Sequence, residues 1–326
     1  MMLVRFRQTH DLSAGVEGLG CEIPDEAVAW LREQMGDFRV IRCCRIGSQR
    51  TGVWQLQSGS AGYYFKINHR RVRWGTEVFV YRNWAHAFHP FVAKLCGVLE
   101  ASGLHGLLLS SLDGVTLREA NLPPAKAASA YRTAGELCRR LHELPPGDWF
   151  GTMDAHGRPV DDAGNALAES PRDPAAYYER LIEGSLRAAS DAGTLLPPER
   201  ETVSRVLGSL SGIEFSRPVP TSRDYTPNNW IVDNQGRLVG IIDFENMGWW
   251  MRTDPFVRLV IDYFPYSPEC ERAFYHGYGA EPPKAEPEQL HIGCVLYGLN
   301  YAMAAGKTGD PKSAERARRA FAVCAG

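Results

Sequence analysis

The C-terminal two-thirds of the chain reads as helix after helix except at one place, and that exception constrains the fold most. Residues 229–244, NWIVDNQGRLVGIIDF, hold two apolar runs separated by Asp233-Asn234-Gln235-Gly236, a turn-forming set that folds such runs into a hairpin. A hairpin returns its last residue to its first, so Asn229 and Asp243 are expected side by side. Just before it, TSRDYTPNNW (221–230) puts an aspartate, a proline and two asparagines into a short loop. Singly, these residues are ordinary turn formers. Jointly, a carboxylate (Asp224), an amide five positions on and a second carboxylate delivered by the hairpin can hold a divalent cation beside a reacting hydroxyl.

The first third has a different character. IPDEAVAWLREQMGD (23–37) has apolar residues at helical spacing and acids early, the mark of an amphipathic helix. The segment from Arg39 to Asn68 alternates and is punctuated by Gly47, Gly52, Gly59 and Gly62, predicting three strands with tight turns. A helix over 75–88 and two strands over 91–114 follow. From there Ala-rich periodic segments near 124–144, 174–190, 197–211, 268–278, 286–305 and 312–323 predict helices, and Asp173-Pro174 is a helix start. The only strands expected in this half are those of the hairpin. The stretch 151–173 has almost no apolar content and is expected to be a long exposed loop, either a lid over the cleft with Asp154, Asp161 and Asp162 as its acids or a passive surface insertion.

A chain of 326 residues is too long for one ordinary core. The division expected is an N-terminal lobe over 1–112, mostly antiparallel β with one key helix, and a helical C-terminal lobe over 113–326 carrying the catalytic loop and short hairpin, with a hinge near Ser110 to Gly114. A net charge of −2 argues against general affinity for nucleic acid or anionic membranes, so small molecules are the expected partners. No apolar run approaches the roughly 18 residues of a membrane span, and a cytoplasmic location is expected. The eight cysteines form no C-x-x-C pair and are expected to be reduced. The histidines show no metal-ligand spacing; His69, His86, His89 and His142 read as surface or packing residues.

Phosphoryl transfer needs positioning and electrostatic clamps more than covalent chemistry, and the chain offers the parts in one order: a glycine turn from Gly47 to Gly52, Lys66 on the strand YYFKIN, Glu77 in the next helix, then Asp224, Asn229 and Asp243.

RDYTPNNW followed by IIDFE and TDPFVRL resembles the aminoglycoside phosphotransferase and choline kinase family, relatives of the eukaryotic-type protein kinases. LCRRLHELP (137–145), FYHGYG (274–279) and the hinge segment LLLSSLDGVTL (107–117) are similar to further family segments, extending the likeness over about residues 45 to 280. The resemblance implies an α+β, two-lobed protein-kinase-like fold. It implies Asp224 as the catalytic carboxylate, Asn229 and Asp243 as magnesium ligands, Lys66 on the α and β phosphates with Glu77 fixing it, Ser48 in the phosphate-covering turn, and backbone groups of Ser110 to Leu112 at the purine. ATP or GTP would be the donor and Mg2+ the cofactor. The family usually has His-x-Asp where this chain has Ser222-Arg223-Asp224; Ser222 is expected to keep part of that loop network through its hydroxyl, and Arg223 to touch a phosphate or an acidic substrate. Asp254 is expected either to brace the catalytic loop or to touch ligand.

The acceptor implied is a small-molecule hydroxyl, first of all that of an antibiotic; alternatives are a nucleoside or peptide natural product, choline or a sugar, or nucleotide binding without turnover. The acids Asp262, Glu269, Glu271, Glu281, Glu286 and Glu288 suggest surroundings suited to a cationic aminoglycoside.

Overall fold

The structure is a computed structural model that describes residues 22–45, 52–101 and 103–325. Helix α1 (Asp25–Met35) precedes a five-stranded antiparallel sheet of β1 (Arg39–Arg45), β2 (Gly52–Ser58), β3 (Ala61–Ile67), β4 (Leu95–Ala101) and β5 (Leu104–Ser110), in the order β1-β2-β3-β5-β4. Ala27 and Leu31, one turn apart on α1, bury with Leu56, Phe65, Ile67, Leu99 and Leu108 in a small core on one side of the sheet. Helix α2 (Arg71–Asn83) sits between β3 and β4 in sequence, and its Val78, Val80 and Tyr81 join the larger core of the second lobe instead.

That second lobe is mainly helical. It contains α3 (Leu117–Ala120), α4 (Pro124–His142), α5 (Pro174–Asp191), α6 (Pro197–Ser209), α7 (Asp254–Asp262), α8 (Pro268–Tyr278), α9 (Pro282–Ala285), α10 (Pro287–Thr308) and α11 (Pro311–Val323). Proline begins α4, α5, α6, α8, α9, α10 and α11, the position where its missing N–H is no loss and its fixed φ suits the helix. Asp173 caps α5 by accepting from the Ala176 N–H at 3.2 Å. The fold is thus the α+β, two-lobed arrangement expected.

Several details differ from expectation. Helix α2 starts at Arg71, so Glu77 lies mid-helix, and α7 was hidden behind the Asp254-Pro255 motif. The hairpin is present as β10 (Trp230–Val232) and β11 (Leu238–Ile241), with Trp230 opposite Ile241. It is joined by β6 (Val115–Thr116), which pairs with Ile231 and Val232. A second pair, β9 (Val219–Ser222) with β12 (Met247–Trp250), brackets loop and hairpin from outside.

The stretch 151–173 also departs from a bare exposed loop. It holds β7 (Thr152–Met153) and β8 (Pro159–Val160), with Met153 and Val160 buried. Asp154 accepts from the N–H groups of His156 and Arg158 at 2.9 and 3.0 Å, and Asp161 from those of Ala163 and Asn165 at 2.9 and 2.8 Å. These acids build turns. The hairpin lies on α2: Thr76 donates its hydroxyl to the Met153 carbonyl at 2.9 Å, and a Cβ on Gly75 would come within 3.0 Å of the Ala155 nitrogen.

Cys43 is disulfide-bonded, contrary to the reduced state expected, whereas Cys96, Cys138, Cys270, Cys294 and Cys324 are free. Among the described residues no helix is long and apolar enough to cross a membrane.

Helices α4 and α8 cross where two glycines meet. A Cβ on Gly277 would lie 1.9 Å from the Arg132 carbonyl oxygen, and one on Gly135 would lie 2.1 Å from that of Phe274. Backbone cannot yield as a side chain can, so the helices would have to separate. Gly277→Ala is therefore expected to destabilise the protein by at least about 2 kcal/mol. Urea unfolding checks this; a variant as stable as the parent would mean the crossing is loose.

Candidate active site

The alternation of β3 sends Phe65 and Ile67 into the small core and Lys66 to the opposite face, toward the second lobe. There its Nζ lies 2.9 Å from Glu77 Oε2 on α2, 2.8 Å from Asp243 Oδ1 and 3.1 Å from Glu245 Oε2. Burial alone would lower the Lys66 pKa, but the three carboxylates outweigh it and hold the ammonium charged well above its ordinary value. Burial pushes Glu77 up to about 7 despite Lys66. Burial acts in the same direction on Glu245, but Lys66 and Arg73 overcome it and bring that carboxyl down to about 2. Asn68 adds a hydrogen bond to Glu245 Oε2 at 2.9 Å.

Asp243 follows β11 in the left-handed region, φ 65° and ψ 70°, which aspartate tolerates better than most residues. Asn229 is brought beside it as expected, since the Ile242 N–H donates to the Asn229 carbonyl at 2.9 Å. The Asn229 side-chain Nδ2 donates to the Asp224 carbonyl at 2.9 Å, committing the nitrogen to the loop and leaving the amide oxygen as the end that could accept a cation. Ligand atoms of Glu77, Asp243 and Glu245 all lie within 4.8 Å of one another. Lys66 Nζ already sits within 3.1 Å of all three, whereas Asp243 and the Asn229 amide are oxygen donors of the kind Mg2+ takes together with waters.

Asp224 stands at the loop's turn. Ser222 Oγ accepts its backbone N–H at 3.1 Å, so the serine does keep part of the network. Thr226 donates its hydroxyl to Asp224 Oδ1 at 3.3 Å, and the Arg258 guanidinium forms an ion pair with the same oxygen. Burial raises the Asp224 pKa to about 6, with Arg258 pulling the other way.

Asp254 and Arg258, one turn apart on α7, meet two consecutive loop residues in crossed pairs: Arg223 with Asp254 at 3.4 Å, and Asp224 with Arg258. Asp254 also accepts from Tyr178 Oη at 3.3 Å and from the Met251 N–H at 3.1 Å, which makes it a brace for the loop. Arg223 lies 3.6 Å above the Trp250 ring. It is therefore engaged within the fold, where contact with a phosphate or an acidic substrate had been expected.

Ser110 donates its N–H to the Lys94 carbonyl at 2.9 Å, and Ser111 to that of Gly62 at 3.0 Å. Of the hinge amides, that of Leu112 has no backbone partner among the described residues. Ser48 and the turn around Gly47 lie outside the described residues. Sequence reasoning missed Glu245, Asn68, Arg73 and Arg258 as site residues; Glu245 stood two positions past Asp243 in IIDFEN, and Arg258 at helical spacing from Asp254.

The acids expected on the acceptor side differ in their surroundings. Asp262 is buried against Arg316 at 3.6 Å and Arg319 at 3.0 Å, and accepts from Tyr297. Glu271 and Glu281 line a separate surface cavity of about 490 Å³ on α8 and α9, which contains none of the residues above.

A model of a phosphotransferase enzyme family matches residues 42–288. The crystal structure of aminoglycoside phosphotransferase APH(4)-Ia has a TM-score of 0.69 at 15% identity, covering 92% of this chain and 97% of that one. A thermostable mutant of that protein, in a ternary complex with AMP-PNP and hygromycin B, has a TM-score of 0.69 at 13% identity over 91% of this chain and 97% of its own. A gentamicin–APH(2")-IIa complex has a TM-score of 0.60 at 14% identity over 92% and 96%. No curated protein sequence matches significantly.

His142 anchors the strand that leads into the loop. Its Nε2 meets Thr221 Oγ1 at 3.0 Å and its Nδ1 meets Tyr278 Oη at 2.8 Å, and burial pushes its pKa down to about 3. A folded pKa below the unfolded value of about 6.5 means this contribution is intact above that value and is lost as pH falls toward 3. Between pH 7 and pH 5 the protein should lose about 2 kcal/mol on this account. Urea unfolding should show a smaller drop for His142→Asn; equal drops would clear His142 of the effect.

Proposed function

The chain belongs to the phosphotransferase enzyme family, and from that premise we propose that it moves the γ-phosphate of ATP or GTP onto a hydroxyl of a small molecule, an antibiotic first of all. It is a kinase-type phosphotransferase. The observation that carries the reading is the convergence of Lys66, Glu77 and Asp243 from two lobes beside the loop of Asp224 and Asn229. Neighbours of the same fold are complexed with AMP-PNP and hygromycin B or with gentamicin, which supports a nucleotide donor and an antibiotic acceptor. A cytoplasmic location accords with a nucleotide donor.

In this reading Lys66 binds the α and β phosphates and Glu77 fixes its ammonium. Asn229 and Asp243 hold Mg2+, which when bound screens charge on the phosphates. The Leu112 amide meets the purine edge. Asp224 orients the acceptor hydroxyl and takes its proton as the oxygen attacks Pγ; the new O–P bond forms while the bond from Pγ to the bridging oxygen breaks, releasing the nucleoside diphosphate. Arg258 and Thr226 hold the Asp224 carboxylate in place for that role.

Asp224→Asn should leave nucleotide affinity nearly intact and lower turnover by roughly two to four orders of magnitude; turnover within about threefold of the parent would sink the assignment. Asp243→Ala removes a metal ligand, so nucleotide binding should lose its magnesium dependence. A titration in which that dependence is unchanged rejects the metal role.

A further inference from the structure

Arginines pair with Asp224 and with Asp262, the last residue of α7. Arg258 uses Nη1 for Asp224, while its buried Nε has no partner among the described residues. A guanidinium carries five N–H donors, so Arg258 retains capacity for another acceptor. Arg258 lies within electrostatic reach of Tyr263, Tyr297 and Tyr301, and Arg316 within reach of Arg258. Arg118, exposed on α3, donates to Asn228 Oδ1 at 3.2 Å and lies within electrostatic reach of Tyr263. Arg319 carries a second buried Nε without a partner and faces the exposed Tyr266 ring at 5.8 Å.

Among the described residues the ion pairs of Arg258, Arg316 and Arg319 go to Asp224, Asp262 and, at the solvent rim, Glu315. Asp262 is neutralised by its two arginines, and in the kinase reading Asp224 is committed to the acceptor hydroxyl. A polycation entering here would meet like charge, whereas a carboxylate, phosphate or carbonyl would meet the exposed guanidinium of Arg118 and the half-buried one of Arg319. Tyr263 and Tyr266 offer ring faces beside those donors.

We propose that the acceptor is a neutral or anionic hydroxylated compound carrying an aromatic or other flat group, bound between α7, α10 and α11, and not a polycationic aminoglycoside. This rests on the kinase reading for the position of the acceptor, and it names the acceptor's charge class.

Calorimetric titration of the magnesium–nucleotide-loaded protein at low salt tests it with three matched probes: nitrophenyl glucuronide, nitrophenyl glucoside and nitrophenyl glucosaminide, with gentamicin as a polycation. The glucuronide should bind about tenfold more tightly than the glucosaminide, with the glucoside between them and gentamicin weakest. Arg319→Gln should narrow that ratio and Arg319→Lys should keep it, whereas a merely structural role would weaken all probes equally. Tightest binding by a cationic probe, or indifference to charge including no binding by any probe, overturns the proposal. The kinase reading is judged separately by magnesium-dependent nucleotide binding, and melting-temperature shifts with the probes alone still rank charge if no nucleotide binds.

Discussion

One buried ammonium holds this architecture together. Removing Lys66 from water costs several kcal/mol, and only close, well-aimed carboxylates offset it. Glu77 comes from a helix of the small lobe, while Asp243 and Glu245 come from the far side of the cleft. The cost of an uncompensated charge therefore falls on any arrangement that parts the lobes at this point. Burial, helped by Asp243 and Glu245, raises the Glu77 pKa against the pull of Lys66, and three carboxylates facing Lys66 and Arg73 leave the cluster one negative charge in excess. A bound cation would relieve it.

The loop is secured by the same economy of charge on the other side. Arg223 and Asp224 are consecutive and opposite in sign, and α7 presents Asp254 and Arg258 in the complementary order one helical turn apart. Reversing the loop's order would set like charges against each other, and sliding the helix by one residue would leave both pairs unmade. The pairing therefore specifies register as well as contributing energy. Asp254 is tied further to Tyr178 and Met251, so the loop is referenced to the helical core and not to solvent.

What could be read from the residues follows from range. The hairpin was legible because its turn and both apolar runs are contiguous, and Lys66 because a strand's alternation isolates it between Phe65 and Ile67. Glu77, Asp224, Asn229 and Asp243 were legible as a set through their order. The β9–β12 pair was not, since its partners flank a whole loop and hairpin and one strand contains Pro220. Asp262 was not legible as a paired acid, because its arginines lie on α11, more than fifty residues later in the chain. Cation and carboxylate so far apart leave no local trace.

The hairpin at 152–160 changes how the two lobes are joined. The hinge after β5 is the covalent link, and Met153 and Ala155 against Thr76 and Gly75 form a second point of attachment on α2. Parting the lobes here would have to break the Thr76 bond and lift Met153 from the core. Glu77, one residue beyond the attachment, therefore sits on a stretch of α2 held to the second lobe by a hydrogen bond and by close backbone packing, apart from any charge.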